Sequence, residues 1–195
     1  MNTLAPDLNA SNIVEFIADI FDRRGGEEYL GEPVTMAEHM LQGATLAETG
    51  GKSDIVIAGV LLHDIGHFIG DFGTFTMLDT QDRYHELSGA QILAPFFAPA
   101  ITECVRYHVA AKRYLCATNE HYYRRLSDAS KHSLSLQGGP MNASEVAAFA
   151  NNLFLDDILQ VRYLDDAGKQ ANMHTFAFAH FKPLLQALVD QHCRV

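Results

Sequence analysis

The 195-residue sequence has no CxxC pair, no excess of basic residues, no Pro/Gly/Ser-rich linker and no apolar run long enough to cross a bilayer. Each absence closes off a class of protein. Cys104, Cys116 and Cys193 lack the spacing of a metal ribbon or a redox pair, which points to reduced thiols. Lys and Arg number 14 against 24 Asp and Glu, a formal net charge of -10, so there is no basic field of the kind nucleic-acid binding requires. The opening residues MNTLAPDLNA carry neither a basic n-region nor an apolar h-region, and a cytoplasmic location away from membranes is expected. With no linker and no internal repeat, residues 1–195 are expected to form a single domain, and 48% hydrophobic residues suffice for one sizeable core. Strand-like alternation is also missing over any useful length, which leaves an all-α fold.

What is present is helix after helix. Asn9 and Ser11 offer caps for a helix through about Arg24, where Ile13, Phe16, Ile17, Ile20 and Phe21 recur at helical spacing and Gly25-Gly26 stops it. Pro33 suits a first turn, so a second helix is expected from Pro33 to Gly50-Gly51, with His39 inside it. The stretch from Asp54 to about Phe68 is apolar nearly all round, as a central buried helix is. The segment 69–82 carries Gly70, Phe72, Gly73, Phe75 and Met77 and reads as a loop or lid over a site. His85 opens a helix that ends before Pro95, and Pro99 opens another that carries His108 and Lys112. Asn142 with Glu145 reads as a capping box, and two further helices hold Asp165 and span roughly 176–192.

The chemistry lies in His63-Asp64. An imidazole and a carboxylate side by side within IVIAGVLLHDIGHF are costly to bury unless something pairs with them, and a cation is the usual partner. His39, His85, His108 and Asp165 come from four other helices, and a bundle brings such positions together around its axis. Six such groups suffice for two metal ions, with the two oxygens of Asp64 free to bridge them. Mixed imidazole and carboxylate ligation suits iron, manganese, zinc or nickel and does not choose among them. His63 and His67, four apart, are expected on one helix face, and so are His108 and Lys112.

The order His39, His63-Asp64, His85, His108, Asp165 resembles the H...HD...H...H...D signature of the HD-domain superfamily, most of whose members are phosphohydrolases. Three further elements resemble a particular branch. They are Tyr29-Leu30-Gly31-Glu32, then Lys112-Arg113-Tyr114-Leu115 after His108, then Leu126 to Lys131 followed by Gln137-Gly138-Gly139. Together they are similar to the PhnZ-type mixed-valent diiron oxygenases, which cleave the carbon–phosphorus bond of α-hydroxyphosphonates. The likeness spans about Glu28 to Lys169, a metal-site core of about residues 29–170, and it implies an HD-domain helical bundle around a dinuclear site. It also implies two iron ions, Fe(II)/Fe(III), with O2 as co-substrate. Residues matching the first iron's ligands are His39, His63, Asp64 and Asp165, and those matching the second's are His85 and His108, with Asp64 bridging. Tyr29 would occupy the second iron until substrate displaces it, and Glu32 belongs to the same movable segment, so Tyr29, Glu32 and Asp64 form the expected catalytic set. His67, Lys112, Ser130 and Arg162 match phosphonate-contacting positions. An exposed lysine is the alternative for Lys112, a structural ion pair for Arg162, and a plain turn for Gln137.

The resemblance leaves two substrates. A primary ammonium, as in 2-amino-1-hydroxyethylphosphonate, needs hydrogen-bond acceptors and would yield glycine. A quaternary ammonium, as in 1-hydroxy-2-(trimethylammonio)ethylphosphonate, prefers aromatic faces with a nearby negative charge and would yield glycine betaine. Phe68, Phe72, Phe75 and Tyr84 with Asp71 favour the second, and Val109-Ala110-Ala111 after His108 offers an amine no acceptor. Either substrate is expected to come from an upstream phosphonate α-hydroxylase. An HD-type metal-dependent phosphohydrolase would use the same six ligands and would give Tyr29 no task.

Overall fold

The structure, a computed structural model, describes residues 7–29, 31–69 and 78–194. Among them the chain order is α1 (Ile13–Arg24), α2 (Met36–Thr49), α3 (Asp54–Leu62), α4 (Gly66–Ile69), α5 (His85–Leu93), α6 (Pro99–Thr118), α7 (Glu120–Arg125), α8 (Asp128–Leu136), α9 (Ala143–Phe149), α10 (Leu155–Ala167) and α11 (Phe178–Cys193). The described residues contain no strand, only an isolated antiparallel bridge between Glu28 and Thr35, so the all-α expectation holds.

Helix α3 is the axis because its surface is apolar on all sides. It starts from Ser53, whose side chain accepts from the Val56 N–H, and every residue from Val56 to Leu62 is buried. Helices α2, α6, α10 and α11 pack around it, and α5 lies on α6. Ile13, Ile17, Met40, Leu61, Leu62, Ile65, Ile101, Ile158, Phe181 and Leu185 fill one continuous core between these elements. At ~1.5–3 kcal/mol for each such side chain removed from water, this core is the main source of stability and the frame on which the polar site is hung.

Three local expectations are corrected. Neither Asn9 nor Ser11 caps α1; Asn9 Oδ1 accepts from the Ser11 backbone and hydroxyl instead, and Asn12 stands at the cap position without a side-chain cap bond. Helix α2 begins at Met36 rather than Pro33, because Thr35 and Glu38 form a reciprocal capping box that satisfies the first free N–H groups. The helix expected from Asp54 to Phe68 ends at Leu62, and His63, Asp64 and Ile65 form a turn before the short α4. The Asn142–Glu145 capping box is present as read. Of the expected lid, residues 70–77, with Asp71, Phe72, Phe75 and Met77, lie outside the described residues.

Candidate metal centre and adjoining cleft

The break after Leu62 aims His63 and Asp64 at the same space. Asp64 then divides its two oxygens between two groups of imidazoles. Its Oδ2 lies 3.3 Å from His63 Nε2 and 3.6 Å from His39 Nε2. Its Oδ1 lies 3.1 Å from His85 Nε2 and 3.4 Å from His108 Nε2. Asp165 closes the first group, 3.4 Å from His39 Nε2 and 3.6 Å from His63 Nε2. All six residues expected as ligands are therefore brought together, and all are buried.

The imidazole tautomers follow from their other nitrogens. His39 Nδ1 is 2.9 Å from the Gly168 carbonyl, His63 Nδ1 2.7 Å from that of Val60, and His108 Nδ1 2.8 Å from that of Val105. A carbonyl only accepts, so each Nδ1 carries a proton and each Nε2 presents a lone pair. Yet His39 Nε2 and His63 Nε2 are 3.0 Å apart, and His85 Nε2 and His108 Nε2 3.1 Å. Between His39 and His63 two lone pairs face each other and repel unless a proton or a metal ion lies between them, whereas His85, whose Nδ1 lies 3.6 Å from the Glu86 carboxylate, can donate its Nε2–H to His108. Asp64 Oδ2 and Asp165 Oδ1 are moreover buried without a hydrogen-bond partner. Two groups of imidazoles sharing one carboxylate fit a pair of metal ions, with carbonyls behind His39, His63 and His108 fixing their orientation.

His67 also joins the second group, since it offers with Asp64 and His85 ligand atoms that all lie within 4.8 Å of one another. The ring of His67 stacks on that of His85 at 3.9 Å between centroids, and its Nε2 is 4.0 Å from Asp64 Oδ1. The expected common face with His63 is not what the structure has: the turn at 63–65 sends His63 to the first group and His67 to the second.

Charge follows the same division. Burial opposes ionisation of Asp64, but the His63 charge, with the His108, His63 and His85 imidazoles close around its two oxygens, holds its carboxyl well below the usual carboxylate range. Burial likewise opposes ionisation of Asp165, and Arg162 and His63 overcome it. Burial lowers His39 and brings His108 to about 4, whereas for His63 the carboxylates of Asp64 and Asp165 outweigh burial and raise it to about 9.

A cleft opens from the second group of ligands toward Tyr29, Glu32, Lys112 and Ser130. The Tyr29 ring stacks on His39 at 4.0 Å between centroids, and burial with the Asp64 and Asp165 carboxylates holds its phenol well above its ordinary value. Tyr29 closes a turn in which its carbonyl accepts from the Glu32 N–H at 2.7 Å, with Gly31 at φ +73° in the left-handed region. Lys112 is buried, not an exposed lysine; its Nζ donates to Ser133 Oγ at 2.7 Å, and burial with the nearby Arg162 charge lowers it to about 7. Arg162 lines the cleft and is also an ion-pair residue, with Nη1 2.6 Å from Asp165 Oδ2 and Nη2 bound to Asp166. The structural ion pair given as the alternative for Arg162 is therefore present.

Phe68 does not face the cleft. It is buried against Phe21, 5.9 Å between centroids, and beneath the Arg24 guanidinium. Tyr84 is mostly exposed and caps α5 in the left-handed conformation. Val109 lines the cleft, and so do Glu28 and Asp82. Sequence reasoning missed Lys169 and Ser133, both in the cleft wall, and set aside Gln137, which lines it with a buried Oε1 lacking a partner. Ser133 had a signal, standing three residues after Ser130 on one helix face. Lys169 had none, lying beyond the end of α10.

Among the described residues an all-helical frame converges four imidazoles on two aspartates, a donor set that could hold metal ions. The chain belongs to the HD-domain family, whose pattern matches residues 36–137. It is 65% identical to the [1-hydroxy-2-(trimethylamino)ethyl]phosphonate dioxygenase (glycine-betaine-forming) of Leisingera caerulea over 95% of this chain and 94% of that protein. It is also 45% identical to the hydroxymethylphosphonate dioxygenase of Gimesia maris over 74% of this chain and 72% of that protein.

Proposed function

We propose that the protein is a dioxygenase that cleaves the carbon–phosphorus bond of 1-hydroxy-2-(trimethylammonio)ethylphosphonate, giving glycine betaine and phosphate. The observation that carries this reading is the 65% identity to the Leisingera protein across 95% of the chain. The whole chain acts as one HD-domain unit in the cytoplasm, holding two iron ions and using O2. An upstream α-hydroxylase of the parent phosphonate supplies the substrate.

His39, His63 and Asp165 would hold one iron, His85 and His108 the other with His67 adjoining, and Asp64 would bridge. When bound, the irons supply Lewis-acid and redox chemistry toward O2 and the substrate carbon. The protein's own residues do the rest. Lys112, with Ser130 and Ser133 on one face of α8, receives the phosphonate oxygens, and a buried ammonium is a strong partner for an anion in such a site. Arg162 fixes the Asp165 carboxylate through its Nη1 and so orients a ligand. Tyr29, stacked on His39 in the cleft wall, would exclude water and O2 until substrate takes its place. Glu28 and Asp82 give the trimethylammonium end its negative charge, and Val109 gives it an apolar wall.

The test is O2 uptake by the iron-loaded, partly reduced protein, with phosphate and carboxylate products quantified. Uptake matched by phosphate and glycine betaine is the expected result. Preference for 2-amino-1-hydroxyethylphosphonate with glycine as product would reassign the substrate. Phosphate release from phosphate esters without O2 would replace the oxygenase reading with a phosphohydrolase.

A further inference from the structure

The ammonium of Lys169 stands where the phosphonate wall, a metal ligand and the Tyr29–Glu32 turn meet. Its Nζ donates to Ser130 Oγ at 2.9 Å, lies 3.9 Å from Glu32 Oε1 and 3.8 Å from Asp165 Oδ1, and sits 5.8 Å from the Tyr29 ring centroid. The two carboxylates are beyond hydrogen-bond length. The ammonium has three N–H donors and spends one on Ser130, so its hold on Glu32 is an attraction between charges that a closer anion can outcompete.

Lys169 is held on a rigid perch. Gly168 lies so close to α2 that a β-carbon there would come 2.8 Å from the His39 carbonyl, and the Gly168 carbonyl is itself the acceptor for His39 Nδ1. On its other side the buried Gln42 amide clamps the backbone of Gln170, accepting from its N–H at 2.9 Å and donating to its carbonyl at 2.8 Å. The turn that orients a metal ligand therefore also aims this lysine, whose side chain is only 11% exposed.

Glu32 has a second partner. Its Oε1 accepts from Ser127 Oγ at 2.5 Å, and the same Ser127 oxygen accepts from the Ser130 N–H to cap α8, the helix that presents Ser130 and Ser133. Gate and anion seat thus share one short network: Tyr29–Glu32 turn, Glu32, Lys169 and Ser127, then Ser130.

We infer that Lys169 is a positioning residue that couples phosphonate arrival to release of the Tyr29–Glu32 turn, an inference that rests on the phosphonate reading above. In the free protein the ammonium holds Glu32 against the cleft. An incoming phosphonate, seated at Ser130 and Lys112 and carrying up to two negative charges, takes the ammonium from Glu32. Of its two polar partners Glu32 then keeps only Ser127, and the turn loosens Tyr29 from its place over His39.

The test is amide hydrogen exchange of residues 27–36 in the metal-loaded protein, with and without 2-(trimethylammonio)ethylphosphonate, which lacks the C1 hydroxyl and does not turn over. Calorimetric binding of the same compound accompanies it. In wild type the phosphonate is expected to raise exchange across this segment. Lys169→Gln is expected to show raised exchange without ligand, no further rise with it, and binding weaker by roughly tenfold, about the contribution of one charge-assisted contact. Glu32→Gln, which removes the attraction from the other end, is expected to show the same raised exchange with a smaller loss of binding than Lys169→Gln, a contrast that damage to the fold would not give. Lys169→Arg is expected to restore the wild-type pattern. Wild-type exchange in both unliganded Gln variants would overturn the inference. Should wild type itself not bind the compound, the phosphonate reading fails, and the unliganded comparison still decides whether Lys169 holds the turn.

Discussion

Gly66 presses its α-carbon against the carbonyl of His85, so closely that a β-carbon would lie 1.9 Å from that oxygen. This contact lets α4 cross α5 and carries His85 Nε2 to within 3.1 Å of Asp64 Oδ1. Even one methyl group must push α5 away, since the obstacle is backbone and not a flexible side chain. Gly66→Ala is expected to cost about 1–3 kcal/mol or more in stability. It is also expected to strip the second ion from the proposed pair while sparing the first, because His39, His63 and Asp165 do not depend on α5. Metal analysis of the purified variant beside a thermal melt checks this, and a variant with full metal content would show that α5 does not position the second site.

The two aspartates are expected to fail differently. Asp64 faces both imidazole pairs, whereas Asp165 faces only His39 and His63. Asp64→Asn should therefore deplete both ions, and Asp165→Asn chiefly the first. Titration of each metal-free variant with Fe(II) or Zn(II), counting ions bound per chain, separates these outcomes. Equal losses from the two variants would contradict the division drawn from the oxygen positions.

The ligand set was legible in the sequence because its parts are chemically expensive where they stand. A His-Asp pair after seven buried apolar residues announces a partner, and the helix that carries His108 begins at Pro99, where its proline places it. The turn at 63–65 was not read, since the apolar run continues through it. Gly66 was the available sign, a residue that weakens a helix interior by about 0.5–1 kcal/mol and is kept here for the approach to His85. Lys169 was out of reach for a different reason. Its place depends on Gly168 packing against His39 and on Gln42 clamping Gln170, contacts between residues more than a hundred positions apart.

The metal-free protein should carry a pH signature of His63. Its folded value, raised to about 9, lies above the ordinary 6.5, so the folded state binds more protons than the unfolded state between those two pH values. The stability this contributes is whole below pH 6.5 and is lost as pH rises through 9. Lys112 opposes it, because its value is lowered to about 7 and stability is therefore gained from pH 7 upward. Removing that opposition with Lys112→Gln should expose the His63 loss as a fall in unfolding free energy between pH 6.5 and 9, measured by urea denaturation after chelation. Metal-loaded protein should not show it, since the ion replaces the proton on His63 Nε2. An unchanged slope in the variant would place the proton elsewhere in the cluster.

Lys112 itself should take up a proton when a phosphonate binds. With its value lowered to about 7 by burial and by Arg162, the side chain is largely neutral at pH 8 in the free protein. A phosphonate accepted beside Ser133 supplies the negative charge that the site lacks there, and each shift of one unit back toward 10.5 corresponds to ~1.4 kcal/mol of coupling between anion and ammonium. Calorimetric titration of the phosphonate at pH 8, repeated in buffers of different ionisation enthalpy, should report net proton uptake approaching one per site, and binding should tighten as pH falls toward 7. Lys112→Arg, charged at every pH tested, should abolish the uptake and flatten that dependence. Uptake that persists in the arginine variant would assign the proton to another group and remove Lys112 from the phosphonate seat.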